Sequence, residues 1–152
     1  MVPRRPDGPA IGRQLSSTAR AVSRAFDQTL VSAGGSLPTW LVLLTLKTQQ
    51  VNNQSELAAR VGIQGPTLTH HLNSMEAAGL LTRRRDPANR RVHLVELTEQ
   101  GEAAFHRMRG AAAGFDRQLR AGLDAAEIQR LSQLLSKLHE NVTELGTGSS
   151  NS

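Results

Sequence analysis

Five arginines, Arg83, Arg84, Arg85, Arg90 and Arg91, crowd into one short stretch with a single acid, Asp86, among them. Long cationic side chains gathered at one point suit the minor groove of duplex DNA, where they respond to groove width and negative potential more than to base identity. The same charge on a sheet edge would also discourage pairing with another strand, so its position has to decide. Upstream, Pro66, Thr67, Thr69, His70, Asn73 and Ser74, with Gln64 just before them, supply short polar groups and one imidazole able to hydrogen-bond base edges or phosphates. Together with the arginines they are the candidate DNA contacts.

Other chemistries find less support. Ser, His and Asp all occur, but there is no Gly-x-Ser-x-Gly elbow, His-Glu-x-x-His helix or phosphate-binding loop. No catalytic residue is assigned, and the chain is not expected to be an enzyme. The absence of cysteine excludes disulfides, thiol-based peroxide sensing and thiolate metal sites. Glu102 and His106 share a helix face at four-residue spacing, yet an ordinary hydrogen bond explains that pair as well as a metal does. No metal or cofactor is expected.

Lys and Arg number 18 against 13 acids, a net charge of +5 that favours a polyanionic partner. Three Phe, one Trp and no Tyr are too few stacking platforms for single strands, so duplex DNA is the expected partner. No apolar run approaches the ~20 residues a bilayer requires, and "MVPRRPDGPAIGRQL" has no apolar core of signal-peptide length. A cytoplasmic location and no membrane partner are expected.

The elements that must carry these residues can be read from periodicity. Ile11, Leu15, Ala19, Val22, Phe26 and Leu30 recur every three to four residues, predicting a helix over about 11–33. After "GGSLP", Ser36 can cap a second helix with Pro38 in its first turn. The run "TWLVLLTL" is apolar on nearly all sides, and a buried strand is its competing reading. Asn53 and Glu56 form a capping box, and Gly62 permits the left-handed turn that ends a short third helix. A fourth helix follows from about Gly65 to Ala78, giving a helix-turn-helix.

On that fourth helix Leu68, Leu72 and Met75 form the buried stripe, with His71 at its edge as a packing residue, and Pro66, Thr67, His70, Asn73 and Ser74 lie opposite. Residues 80–85 and 91–97 are strand-like around the turn formers "DPAN", with Val92 and Leu94 alternating in period two. A hairpin directly after a helix-turn-helix is a wing, and this one has Arg90 and Arg91 at its tip.

Past the wing, Thr98 caps a helix whose Phe105, Met108, Ala112, Phe115 and Leu119 make a seam for helix-on-helix packing. A last helix from Asp124 repeats Ile128, Leu131, Leu134, Leu135, Leu138, Val142 and Leu145. These stripes, with the first helix, predict a dimerisation layer from about 11–33 and 98–145 beside a winged part over about 37–98, closure on the winged part of the same chain being the alternative. Together they form one domain over 11–145, with a flexible basic arm at 1–10 and a flexible tail at 146–152. The fold class is mainly α with a small β-hairpin wing.

The run over about 37–105 resembles the MarR family of winged helix-turn-helix regulators, carried by "SELAARVGI", "PTLTHHLNSMEAAGLLTRR" and "DPANRRVHLVELTEQG". The resemblance implies a homodimeric transcriptional regulator, usually a repressor, that binds a palindromic operator and releases it on binding a small-molecule effector. By position it puts Pro66, Thr67 and His70 in the major groove and Arg91 in the minor groove. The family usually has an aspartate two residues before that arginine, where this chain has Asn89. Its effector pocket lies between the helical layer and the winged part, which makes Arg20, Arg24 and Trp40 candidates for holding an aromatic or carboxylate ligand. A sequence-nonspecific architectural DNA protein using the same wings and charge is the alternative.

Overall fold

The computed structural model describes residues 8–147. Six helices and one hairpin follow in the order α1 (Ile11–Ser32), α2 (Leu37–Thr48), α3 (Gln54–Val61), α4 (Gly65–Ala77), β1 (Leu81–Arg85), β2 (His93–Leu97), α5 (Glu99–Leu119) and α6 (Ala125–Thr147). They divide into two compact units, one ending at Phe115 and the other beginning at Asp116. Among the described residues no single helix is long and apolar enough to cross a membrane.

Sequence signals act where they were read. Ser36 Oγ accepts from the Thr39 backbone N–H at 3.3 Å, with Pro38 in the first turn, so the apolar run becomes a helix and not a strand. Trp40, Val42, Leu43 and Thr45 are buried on it, and α2 packs against α1, α3, α4 and β2. A helix apolar on all sides survives only in such a central position. Asn53 Oδ1 accepts from the Glu56 N–H at 2.9 Å, while Glu56 reaches back to the Asn52 N–H at 2.8 Å. Gly62, at φ 76°, closes α3 and opens the turn to α4.

The core of the first unit joins Leu57 of α3, Leu68, Leu72 and Met75 of α4, and Leu30, Val42, Leu43, Leu81, Phe105 and Met108. Truncating any of its fully buried leucines to Ala removes transfer energy and leaves a cavity, a cost of about 2–5 kcal/mol.

The hairpin register pairs Leu81 with Leu97 and Arg83 with Val95, and Leu81, Val95 and Leu97 meet the core. Two expectations need correction. The α5 seam is not free for a partner over its first half: Phe105 and Met108 are 4% and 1% exposed, and Phe115 lies 5.2 Å from Phe26 of the same chain. Only Leu119 of that series is an exposed large apolar residue. The tail expected over 146–152 begins inside α6, which extends to Thr147; the rest of it, and residues 1–7 of the expected basic arm, lie outside the described residues.

One junction joins α4, the hairpin and α5. Gly79, at φ 76°, is in the left-handed region that closes α4, so that its N–H reaches Glu76 O and the Leu80 N–H reaches Met75 O, both at 3.0 Å. Thr98 then donates its backbone N–H to Leu80 O at 3.1 Å and its hydroxyl to Gly79 O, and its Oγ1 accepts from the Gly101 N–H. A Cβ at Gly101 would stand 1.9 Å from Leu80 O, so no larger residue fits unless backbone moves. Gly101→Ala should therefore lower unfolding stability by about 1–3 kcal/mol or more. Gly110→Ala, where an added Cβ meets no atom within 4 Å, should raise it by roughly 0.5–1 kcal/mol. Urea unfolding midpoints of the two variants would check the contrast.

Candidate nucleic-acid interface

With its apolar stripe buried, α4 turns Pro66, Thr67, His70, Asn73 and Ser74 outward, all exposed as expected. Gln64 stands at the N-cap, exposed, and makes no capping bond with its side chain. Thr69 is half-buried and bonded inside the unit: its Oγ1 donates to Gly65 O and accepts from Gln54 Nε2, each at 2.9 Å. It thereby ties the first turn of α3 to α4. His71 is half-buried at the stripe's edge, as expected of a packing residue.

The arginines separate by hairpin face. Arg83 shares the inner face with Val95, and its Nε lies 3.3 Å from Glu76 Oε2 on α4. Arg84 is on the outer face and pairs with Glu96 at 3.2 Å, both side chains more than half exposed. An exposed pair of this kind contributes about 0–1 kcal/mol. Arg85 donates to Arg90 O at 2.8 Å and braces the turn. Arg90 and Arg91 are exposed at the tip, and neither guanidinium has an acidic partner among the described residues.

At the tip, the Asn89 side chain accepts from the Arg91 N–H at 3.2 Å, and the Val92 N–H reaches Asn89 O at 2.9 Å. Asp86 Oδ1 accepts from the Ala88 N–H at 2.9 Å. Asn89 therefore shapes the turn through its carbonyl without supplying a charge beside Arg91. The tip returns to the start of α3: Asn53, Gln54, Ser55, Arg91, Val92 and His93 line a hollow of about 250 Å³. Neither the α3 start nor His93 was singled out from the sequence. The capping box located that helix end, but nothing local shows that the hairpin comes back to it.

The expected effector residues do not meet. Trp40 is 8% exposed and stacks on Phe105, with centroids 5.8 Å apart and planes at 11°. Beside that pair is a cavity of about 430 Å³, also lined by Leu44, Lys47, Thr48, Arg109, Ala112 and Ala113. Arg20 and Arg24 are exposed on α1 and do not line it. Its cations are Lys47, 2.9 Å from Glu102, and Arg109, which has no acidic partner among the described residues. Glu102 is thus held by Lys47, while the His106 ring lies 5.4 Å from Phe105. Among the described residues no group of three or more His, Cys, Asp or Glu could hold a metal.

Comparison with known proteins points one way. A profile of the MarR family matches residues 36–93. The uncharacterized HTH-type transcriptional regulator YdgJ of Bacillus subtilis is 30% identical over 93 residues, which cover 61% of this chain and 57% of that protein. The transcriptional repressor CouR of Rhodococcus jostii, solved bound to a 23-mer DNA duplex, is 27% identical with a TM-score of 0.74, over 84% of this chain and 91% of that one. Bordetella bronchiseptica BpsR, whose DNA binding is regulated by 6-hydroxynicotinic acid, is 26% identical with a TM-score of 0.72, over 86% and 99%.

The tip geometry is open to a direct check. Asn89→Ala removes the acceptor of the Arg91 N–H, a bond worth about 1 kcal/mol. Hydrogen exchange at the Arg91 amide should quicken roughly fivefold, with the amides of Leu68 and Leu72 unchanged.

Proposed function

The chain belongs to the MarR family, and from that premise we propose that it is a homodimeric, sequence-specific transcriptional regulator. It acts as a repressor that a small-molecule effector releases from a palindromic operator, and it works in the cytoplasm. One observation carries the reading. In a single compact unit α4 buries its apolar stripe, exposes a polar face, and stands next to a hairpin whose tip arginines are unpaired with any acid among the described residues. Short polar groups on a helix suit the major groove, and a cationic tip beside it suits the minor groove.

Support for the dimer comes from apolar surface. Ile11 and Leu15 of α1 are 51% and 40% exposed, and Leu131, Leu134, Leu135, Val142 and Leu145 of α6 are 41–76% exposed. No described side chain of α6 is buried. Burying these faces in a second copy removes them from water, and a two-fold pair sets the two α4 helices about one duplex turn, roughly 34 Å, apart.

For the effector, the cavity beside Trp40 and Phe105 offers flat apolar walls and two cations, which fits a planar anion. A ligand there presses between α2 and α5. Because α5 begins at the Thr98 and Gly101 junction, its shift carries to the hairpin.

Arg91→Ala should weaken binding to all duplexes and reduce the slope of log affinity against log salt by about one. Replacing His70 should instead change the preference among operator sequences. Unchanged Arg91→Ala affinity across salt would remove the tip from the interface. In competition with random duplex, a regulator should prefer its operator by roughly a thousandfold or more, whereas an architectural protein should show little preference. An anionic aromatic that lowers operator affinity should lose about tenfold in potency with Arg109→Gln, while affinity without the ligand stays the same.

A further inference from the structure

Of the five clustered arginines, Arg83 is the one that is not exposed, its side chain being only 16% accessible. Three bonds hold it on α4. Its backbone N–H and its Nε both donate to Glu76 Oε2, at 2.9 and 3.3 Å, and a terminal guanidinium nitrogen donates to Asn73 Oδ1. Asn73 is exposed on the same face of α4 as His70, one turn away. A carboxamide has two N–H donors and one acceptor oxygen with two lone pairs. With Oδ1 turned to a charged donor, the stronger kind of hydrogen bond, the Nδ2 hydrogens of Asn73 lie on the side of the carboxamide away from Arg83.

We infer that Arg83 is a positioning residue which orients Asn73 so that its Nδ2 donors read a base acceptor in the operator. The inference rests on the proposal above that α4 enters the major groove. An unconstrained Asn favours adenine, because Oδ1 accepts from N6–H while Nδ2 donates to N7. An Asn whose oxygen is held on a guanidinium keeps one lone pair but is no longer free to turn it to N6–H. Guanine presents N7 and O6, two acceptors on one edge, and is the base that suits Nδ2 alone. Glu76 has a part in this: by holding both the backbone and Nε of Arg83, it keeps the guanidinium on Asn73 and away from the phosphates.

Selection of bound duplexes from a randomised library, run on the full chain and three variants, tests the assignment. Wild type should require guanine at one base pair of each half-site, and Asn73→Ala should level the preference at that pair alone. Arg83→Met, which has no donor, should move it toward adenine by roughly tenfold. Arg83→Lys, which can still donate to Asn73 and pair with Glu76, should keep guanine. A purely structural Arg83 would weaken every duplex alike without changing the preferred base. The inference is overturned if Arg83→Met retains the wild-type preference, or if Asn73→Ala lowers affinity for all sequences equally, the mark of a phosphate contact. Asn73→Ala changes an exposed helical position, so that arm decides even if Arg83→Met folds poorly. A wild-type protein that enriches no sequence overturns the regulatory reading as well; a clear wild-type palindrome with an unmoved Arg83→Met preference overturns this inference alone.

Discussion

The close approach of α5 to the backbone of Leu80 governs what this molecule can present to a duplex. Thr98 ties both its backbone and its hydroxyl to the loop that closes α4, and Gly101 lets the first turn of α5 sit against Leu80 O. Three elements therefore leave one point in fixed directions. A hairpin alone is marginal in water, and this one is held at its base by the junction and along its inner face by Leu81, Val95 and Leu97 against the core. Halfway up, the Arg83 pair with Glu76 adds a second hold.

From that arrangement the division of labour among the arginines follows. Side chains alternate between hairpin faces, so neighbours in a run of three cannot all point to the same place. Arg83 is turned to α4, Arg84 is turned outward to Glu96, and Arg85 braces the turn through Arg90 O. Of the five, only Arg90 and Arg91 at the tip have side chains with no bond among the described residues. The same junction links the tip to the cavity beside Trp40, since α5 lines that cavity and also starts at Thr98. In the proposed regulation this is the route by which a ligand there would alter the hairpin.

Much of this was legible in the sequence because it is local. Ser36, Asn53 and Thr98 act as caps, Gly62 takes up the left-handed turn, and Leu68, Leu72 and Met75 are buried at the spacing that predicted them. What was not legible depends on register or on distant contacts. The alternation of Val92 and Leu94 did not say which hairpin face turns inward; register is set by the turn and by what the hairpin packs against, and Val95 and Leu97 are inside. Arg20 and Arg24 were set beside Trp40 by the pocket position that the resemblance implies, whereas Lys47 of α2 and Arg109 of α5 line the cavity beside it. An asymmetric case is the capping box at α6, where Asp124 and Glu127 bond reciprocally at 2.8 and 2.9 Å. That signal is local, and only the start of the helix was read from it.

In the proposed arrangement two copies of this chain straddle a duplex, each setting α4 in a major groove and its arginine tip in the minor groove beside it. Hydroxyl-radical footprinting of the bound operator tests this most directly. The account predicts two equivalent protected stretches with centres about 10–10.5 base pairs apart or a whole multiple of that, each flanked by minor-groove protection that disappears with Arg91→Ala. A single protected stretch with no two-fold relation, or flanking protection that survives the Arg91 change, would contradict it.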